Sequence, residues 1–244
     1  MKNKILKNME WWILLCSVLL CIIGFIALYS ATHGDDFGYL KKQLIWFSIS
    51  FVIMIIMMFI EYETLAKLSP IFYGISIVML IVVLFTKQIN GASSWFNIGI
   101  LSVQPSEIAK IAVVLFSSWV IVKVQENNKN DINNIWKLAL VLLTVAVPVG
   151  LIILQPDYGT AAAYLLAIIL MLFVAGIDRK YIFLAIIVAA IALPLIYMFV
   201  LPTHAKTRIE VFLNPESDPK GAGYNIIQSK LAIRSRTINR NGFI

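Results

Sequence analysis

This sequence offers little to a metal ion. Its 244 residues contain two histidines, His33 and His204, and two cysteines, Cys16 and Cys21. The histidines stand in separate connections with no third ligand at a metal-binding spacing, which argues against a histidine metal site. The cysteines lie five residues apart within one apolar run, on different faces of a helix, so neither a disulfide nor a metal site is expected there. Glycine loops of the Walker type, dinucleotide fingerprints and Ser–His–Asp constellations are absent. Charge is scarce as well: 14% of residues are charged, against about 25% in a typical soluble domain. The formal net charge of +7 is spread over loop after loop, with no aromatic-interleaved basic region to hold a strand, so nucleic acid is not the expected partner. Membrane lipids account for that charge better.

What is abundant is apolar surface. Hydrophobic residues make up 60% of the chain and the mean hydropathy is +0.87. Runs long enough to cross about 30 Å of hydrocarbon occur near Trp11–Tyr29, Gln43–Ile60, Leu68–Phe85, Ser106–Val122, Trp136–Leu154, Thr160–Ile177 and Tyr181–Leu201. The first follows a basic leader, Lys2, Lys4 and Lys7. It is too long for a signal-peptide core and lacks a small-residue cleavage site, so it reads as a retained span. The expected fold is all-α, a polytopic integral membrane helix bundle of about seven transmembrane helices.

Basic residues orient the set. With a cytoplasmic N-terminus, the inner segments hold Lys2, Lys4, Lys7, Lys67, Lys123, Lys129, Lys137, Arg179 and Lys180, and the outer loops hold only Lys41, Lys42 and Lys87. Trp11, Trp12, Trp46, Trp136 and Tyr181 near span ends fit an interfacial aromatic belt. This orientation brings three polar stretches to one outer face: Gln104–Lys110, Gln155–Thr160, and the chain beyond Pro202.

The heptad Gln104-Pro105-Ser106-Glu107-Ile108-Ala109-Lys110 has two readings. It suits a helix start, with Pro at the first position, Ser and Glu in the first turn, and Lys110 snorkelling outward. It also suits a site, because Glu107 and Lys110 share a helix face and ionisable groups in membrane segments are costly. Asp157, in Gln155-Pro156-Asp157-Tyr158-Gly159-Thr160, is expected either to bond its own turn or to line an outer cavity with Glu107 and Lys110. Trp95 stands in an uncharged loop as a belt anchor or an apolar platform for a lipid or sugar. Arg208 and Lys206, just past the last span, could hold a lipid phosphate through the guanidinium fork. The stretch Asn214–Tyr224 reads as ordered turns or a flexible loop, and Tyr224–Ile233 as a short interfacial helix.

Together, Trp95 with Gly99, the Gln104–Lys110 heptad, the Gln155–Thr160 turn, and Asn214–Tyr224 running to Gln228-Ser229-Lys230-Leu231-Ala232-Ile233 resemble, in order and spacing, the SEDS family of bacterial cell-wall proteins. The last stretch is closer to its RodA branch than to its FtsW branch. The resemblance covers residues 1–233, and 234–244 reads as a non-matching basic tail. It implies a peptidoglycan glycosyltransferase in the bacterial cytoplasmic membrane that polymerises lipid II for elongation and rod shape, with a class B penicillin-binding protein as partner. Trp95, Gln104, Glu107, Lys110, Asp157 and Arg208 would then hold or orient substrate. The cofactor is left open, a divalent cation such as Mg or Mn being the candidate to stabilise the departing diphosphate.

The catalytic aspartate that the resemblance implies belongs to a Pro-Glu…His-Thr-Asp-Phe pattern that this sequence does not contain. The expectation is therefore a frameshifted or truncated gene product that does not polymerise glycan alone. Two alternatives stand beside it, a non-catalytic scaffold for the penicillin-binding protein and a lipid II flippase.

Overall fold

A computed structural model describes residues 10–32, 37–86, 94–98, 101–221 and 223–234. All seven expected spans are helices: α1 Trp11–Ala31, α2 Phe37–Met57, α3 Tyr62–Val83, α4 Pro105–Val124, α5 Ile135–Leu154, α6 Tyr158–Val174 and α7 Arg179–Leu195. α1, α2, α3, α5 and α7, the last continued to Phe199, are long and apolar enough to cross a membrane. α6 is apolar but has 17 residues, the lower end of the spanning range of about 17–25. α4 has 20 residues but carries Glu107, Lys110 and Lys123. α2 starts six residues before the run at Gln43, because Lys41 and Lys42 are carried within the helix; Lys42 lies over the Tyr39 ring, 5.9 Å from its centroid. Lysine stems tolerate that position by snorkelling.

Contacts divide the chain into two units, residues 1–178 and 179–244. In the first, α4 is the centre and packs on α3, α5 and α6. Its buried side chains include Ser106, Ala109, Ala112 and Ser117. Small residues let helix backbones approach closely where lipid gives no hydrophobic drive to associate. Leu80, Val83, Val113, Val141, Val145, Ile152, Tyr164 and Ile168 fill the interior. α1 and α2 bury none of their residues. They meet each other through Phe25 edge-on to Phe47, with ring centroids 5.8 Å apart, and Phe47 stacks on Phe51 at 6.2 Å.

Between α3 and α4 the expected loop holds a short antiparallel hairpin, β1 Phe96–Ile98 with β2 Leu101–Val103, pairing Phe96 with Val103. Three-residue strands are too short for alternation to announce them. At the Lys129 end of the bundle, Gln125 donates to the carbonyls of Lys129 (2.9 Å) and Ala175 (2.8 Å), and Lys137 pairs with Asp131 at 2.5 Å. α6 stops at Gly176, where φ is +85°. Gly176 N–H donates to Phe173 and Ile177 N–H to Leu172, a left-handed helix stop that suits a residue without a Cβ.

The second unit begins with α7, whose Pro194 cannot donate in the helix ladder. Two residues on, the helix widens into a π turn, Ile196–Val200. After Leu201 and Pro202 come α8, Thr203–Leu213, a 3-10 turn at Pro215–Ser217, and α9, Tyr224–Arg234. Asn214 caps the 3-10 turn by accepting from Glu216 N–H (3.3 Å), and Asp218 accepts from Gly221 N–H (3.0 Å). A Cβ on Gly223 would collide with the Pro215 carbonyl, so the proline- and glycine-rich stretch is an ordered turn. The helix expected over Tyr224–Ile233 is present. His33, the side chain of His204 and residues 235–244 of the basic tail lie outside the described residues.

Candidate functional site

The site is assembled where the two Gln-Pro turns meet. Gln104 is the N-cap of α4 and makes no side-chain cap to its own helix. Pro105 at the first helical position has no N–H to satisfy, so the Gln104 amide reaches outward and donates to Asp157 Oδ2 at 2.8 Å. Asp157 is the N-cap of α6: its Oδ1 accepts from Thr160 N–H (3.2 Å) and its Oδ2 from the Thr160 hydroxyl (2.8 Å). The carboxylate thus accepts three hydrogen bonds, which join the starts of α4 and α6.

One turn along α4, Lys110 Nζ donates to Glu107 Oε1 at 2.8 Å, the expected shared face. Glu107 is 58% and Lys110 33% exposed at the side chain, so the pair is partly solvated and adds little stability by itself. Its chemical content lies elsewhere. An ammonium carries three N–H donors, and Lys110 spends one on Glu107. The others suit an anionic oxygen, with the Gln104 amide beside Asp157 as a neutral donor.

Behind these groups lies a buried polar layer. Tyr164, seven residues after Asp157 and on the same face of α6, donates its hydroxyl to the Ser106 carbonyl at 2.6 Å. Gln155 is fully buried, and its Nε2 donates to the Leu80 carbonyl at 3.1 Å. α3 closes in 3-10 fashion, Leu84 N–H to Ile81 and Phe85 N–H to Val82. That switch passes over the Leu80 carbonyl, which Gln155 satisfies. Ser94 Oγ donates to the Gln155 carbonyl at 3.4 Å, setting the neighbouring Trp95, 40% exposed, at the edge of the turn. Ser106 Oγ and Gln155 Oε1 are buried with no hydrogen-bonding partner among the described residues. Deeper in, a cavity of about 10 Å³ lined by Lys110, Val113, Ser117, Val145, Tyr164 and Ile168 has room for one water at most.

Five of the six expected residues, Trp95, Gln104, Glu107, Lys110 and Asp157, therefore belong to the first unit and stand at the starts of α4 and α6 or, for Trp95, just before β1. Gln104 bonds Asp157, and Glu107 bonds Lys110. Arg208 is exposed on α8 in the second unit. Ser94, Thr160, Tyr164 and the side chain of Gln155 were not singled out from sequence. Tyr164 carried a usable signal, a hydroxyl two turns from Asp157 within the aliphatic part of the helix. Gln155 carried none, because a glutamine beside a proline reads as turn surface. Among the described residues no three His, Cys, Asp or Glu side chains could hold a metal ion. Glu107 is engaged by Lys110, and Asp157 by Gln104 and Thr160. These residues do not by themselves fit a divalent cation.

A family model described as "Cell cycle protein", FtsW/RodA/SpoVE, matches residues 10–243. The chain belongs to this family, the membrane-embedded SEDS proteins. It is 32% identical over 232 residues to the peptidoglycan glycosyltransferase MrdB of Escherichia coli K12, covering 95% of this chain and 61% of that protein. A chain in a solved structure titled "Structural coordination of polymerization and crosslinking by a peptidoglycan synthase complex" superposes with a TM-score of 0.77 at 29% identity, over 93% of this chain and 65% of that one. The crystal structure of the rod shape determining protein RodA of Thermus thermophilus gives a TM-score of 0.65 at 27% identity, over 76% and 60%. These relatives support the RodA branch. The chain spans about three fifths of the length of the curated relatives it matches.

Proposed function

We propose that this chain supplies the substrate-holding end of a lipid II-polymerising peptidoglycan glycosyltransferase of cell elongation. The observation that carries the reading is the Gln104–Asp157 hydrogen bond, which joins two sequence motifs 53 residues apart beside the Glu107–Lys110 pair. Lys110, Gln104 and Trp95 offer a cation, a neutral donor and an apolar ring, the chemistry that a diphosphate-linked sugar on a lipid asks of its binder. Glu107 and Asp157 set the position of those donors. The excess of basic residues in the inner segments supports a cytoplasmic N-terminus, with this end on the outer face of the bacterial cytoplasmic membrane. A photoactivatable lipid II analogue tests it. Capture by the reconstituted chain should fall with Lys110→Met and with Asp157→Asn while helix content stays constant; capture unchanged by both substitutions overturns the reading.

A class B penicillin-binding protein is the proposed partner, supported by the likeness to a chain of a complex that couples polymerisation to crosslinking. The scaffold alternative rests on the same likeness. A flippase needs a continuous polar path, and beneath Tyr164 the space between α4, α5 and α6 is closed by Val113, Val145 and Ile168.

A further inference from the structure

We infer that α8 is a membrane-surface helix, lying along the leaflet from which α7 ends with its apolar stripe among the lipid acyl chains and Arg208 on a phospholipid phosphate. This goes beyond the catalytic reading and does not depend on it. Ala205, Ile209, Phe212 and Leu213 recur at i, i+4, i+7 and i+8, one stripe of a helix. Ile209 is 40% exposed, and Phe212 and Leu213 are each 77% exposed. An apolar stripe so uncovered, on a helix whose other residues are polar or charged apart from Val211, is the pattern of interfacial helices.

Three observations say that lipid covers it. First, only Leu201 and Pro202 separate the π turn ending at Val200 from Thr203. That link reaches no more than about 11 Å, so the start of α8 is held near the edge of the hydrocarbon. Second, α8 is fastened to the end of α7 by its polar side. Lys206 Nζ donates to the Met198 carbonyl (3.1 Å) and lies over the Tyr197 ring, 5.6 Å from its centroid, while the Tyr197 hydroxyl donates to Glu210 at 3.3 Å. Val211 is buried beside the turn at Pro215. The stripe is left on the side that these contacts do not use. Third, at 100° per residue Lys206 and Arg208 flank the stripe on either side. Lys206 is engaged with α7, and Arg208 is exposed, with a fork that matches phosphate oxygens.

The experiment uses the full chain with Cys16→Ser and Cys21→Ser, carrying a single environment-sensitive fluorophore at Leu213→Cys or, on the polar face, at Thr207→Cys. Vesicles contain equal parts phosphatidylcholine and phosphatidylglycerol, with or without bromine on the acyl chains. Brominated lipid should quench the label at 213 and spare the label at 207, with aqueous iodide showing the reverse. Iodide quenching at 213 equal to that at 207 overturns the proposal, because α8 then stands in water. A label at 213 reached by neither quencher also overturns it, since protein then covers the stripe. Arg208→Gln should reduce bromolipid quenching at 213 in these vesicles and in pure phosphatidylcholine alike, because both lipids carry the phosphate; quenching unchanged in both, or changed only where phosphatidylglycerol is present, overturns the role given to Arg208.

Discussion

At the scale of single residues, two polar side chains hold the candidate site, and both act through backbone groups that helices leave unsatisfied. Gln155 meets the Leu80 carbonyl that the closing turn of α3 passes over. Replacing it with Ala should cost about 2–3 kcal/mol, from a carbonyl left dry and a void in its place. Reversible unfolding in bicelles would measure the loss, and a cost below the noise would show that the bond is dispensable. Asp157 caps α6 through Thr160 and receives Gln104. Asp157→Ala should lose about 1–2 kcal/mol, and Asp157→Asn should recover most of it, because an amide oxygen still caps. Stability would then separate from substrate capture, which the asparagine variant is expected to lose because its amide nitrogen cannot accept from Gln104.

Among elements, a buried side-chain contact joins Ser117 on α4 to Thr144 on α5 at 2.6 Å. Thr144 also donates to the Val141 carbonyl at 2.7 Å, so its single proton is engaged and Ser117 is the donor between the helices. Ser117→Ala and Thr144→Val should each cost about 0.6–1.7 kcal/mol, and a double-mutant cycle should show coupling of that size. Additive losses would mean that the contact holds nothing. Gly176→Ala should destabilise the end of α6 by about 1 kcal/mol, wholly through its left-handed backbone, since no atom lies within 4 Å of an added Cβ. The spans were legible because a helix in lipid declares itself by length and apolarity. α8 was not: Thr203–Leu213 follows a proline and mixes two bases and an acid with its apolar residues, so only the built helix reveals Ile209, Phe212 and Leu213 as one stripe. The Glu107–Lys110 pair was legible from spacing, whereas the Gln104–Asp157 bond joins distant segments that no local pattern connects.

For the whole molecule, the direction of insertion is the statement most exposed to test. With both native cysteines replaced by serine, a cysteine at Ser102 should react with an impermeant thiol reagent on intact cells, and one at Lys129 only after the membrane is opened; the opposite pattern reverses the topology and moves the candidate site to the cytoplasm. A further consequence follows from α1 and α2, which bury none of their side chains. α3 to α6 fix one another's angles by packing, but α1 and α2 bury no side chain against that centre. Their tilt is set by how thick the bilayer is. The 21 residues of α1 reach about 31 Å when upright, so a thinner membrane leans them over while the four-helix centre keeps its shape. Bilayer thickness is thus a mechanical input that this protein feels at its lipid-facing helices and not at the site.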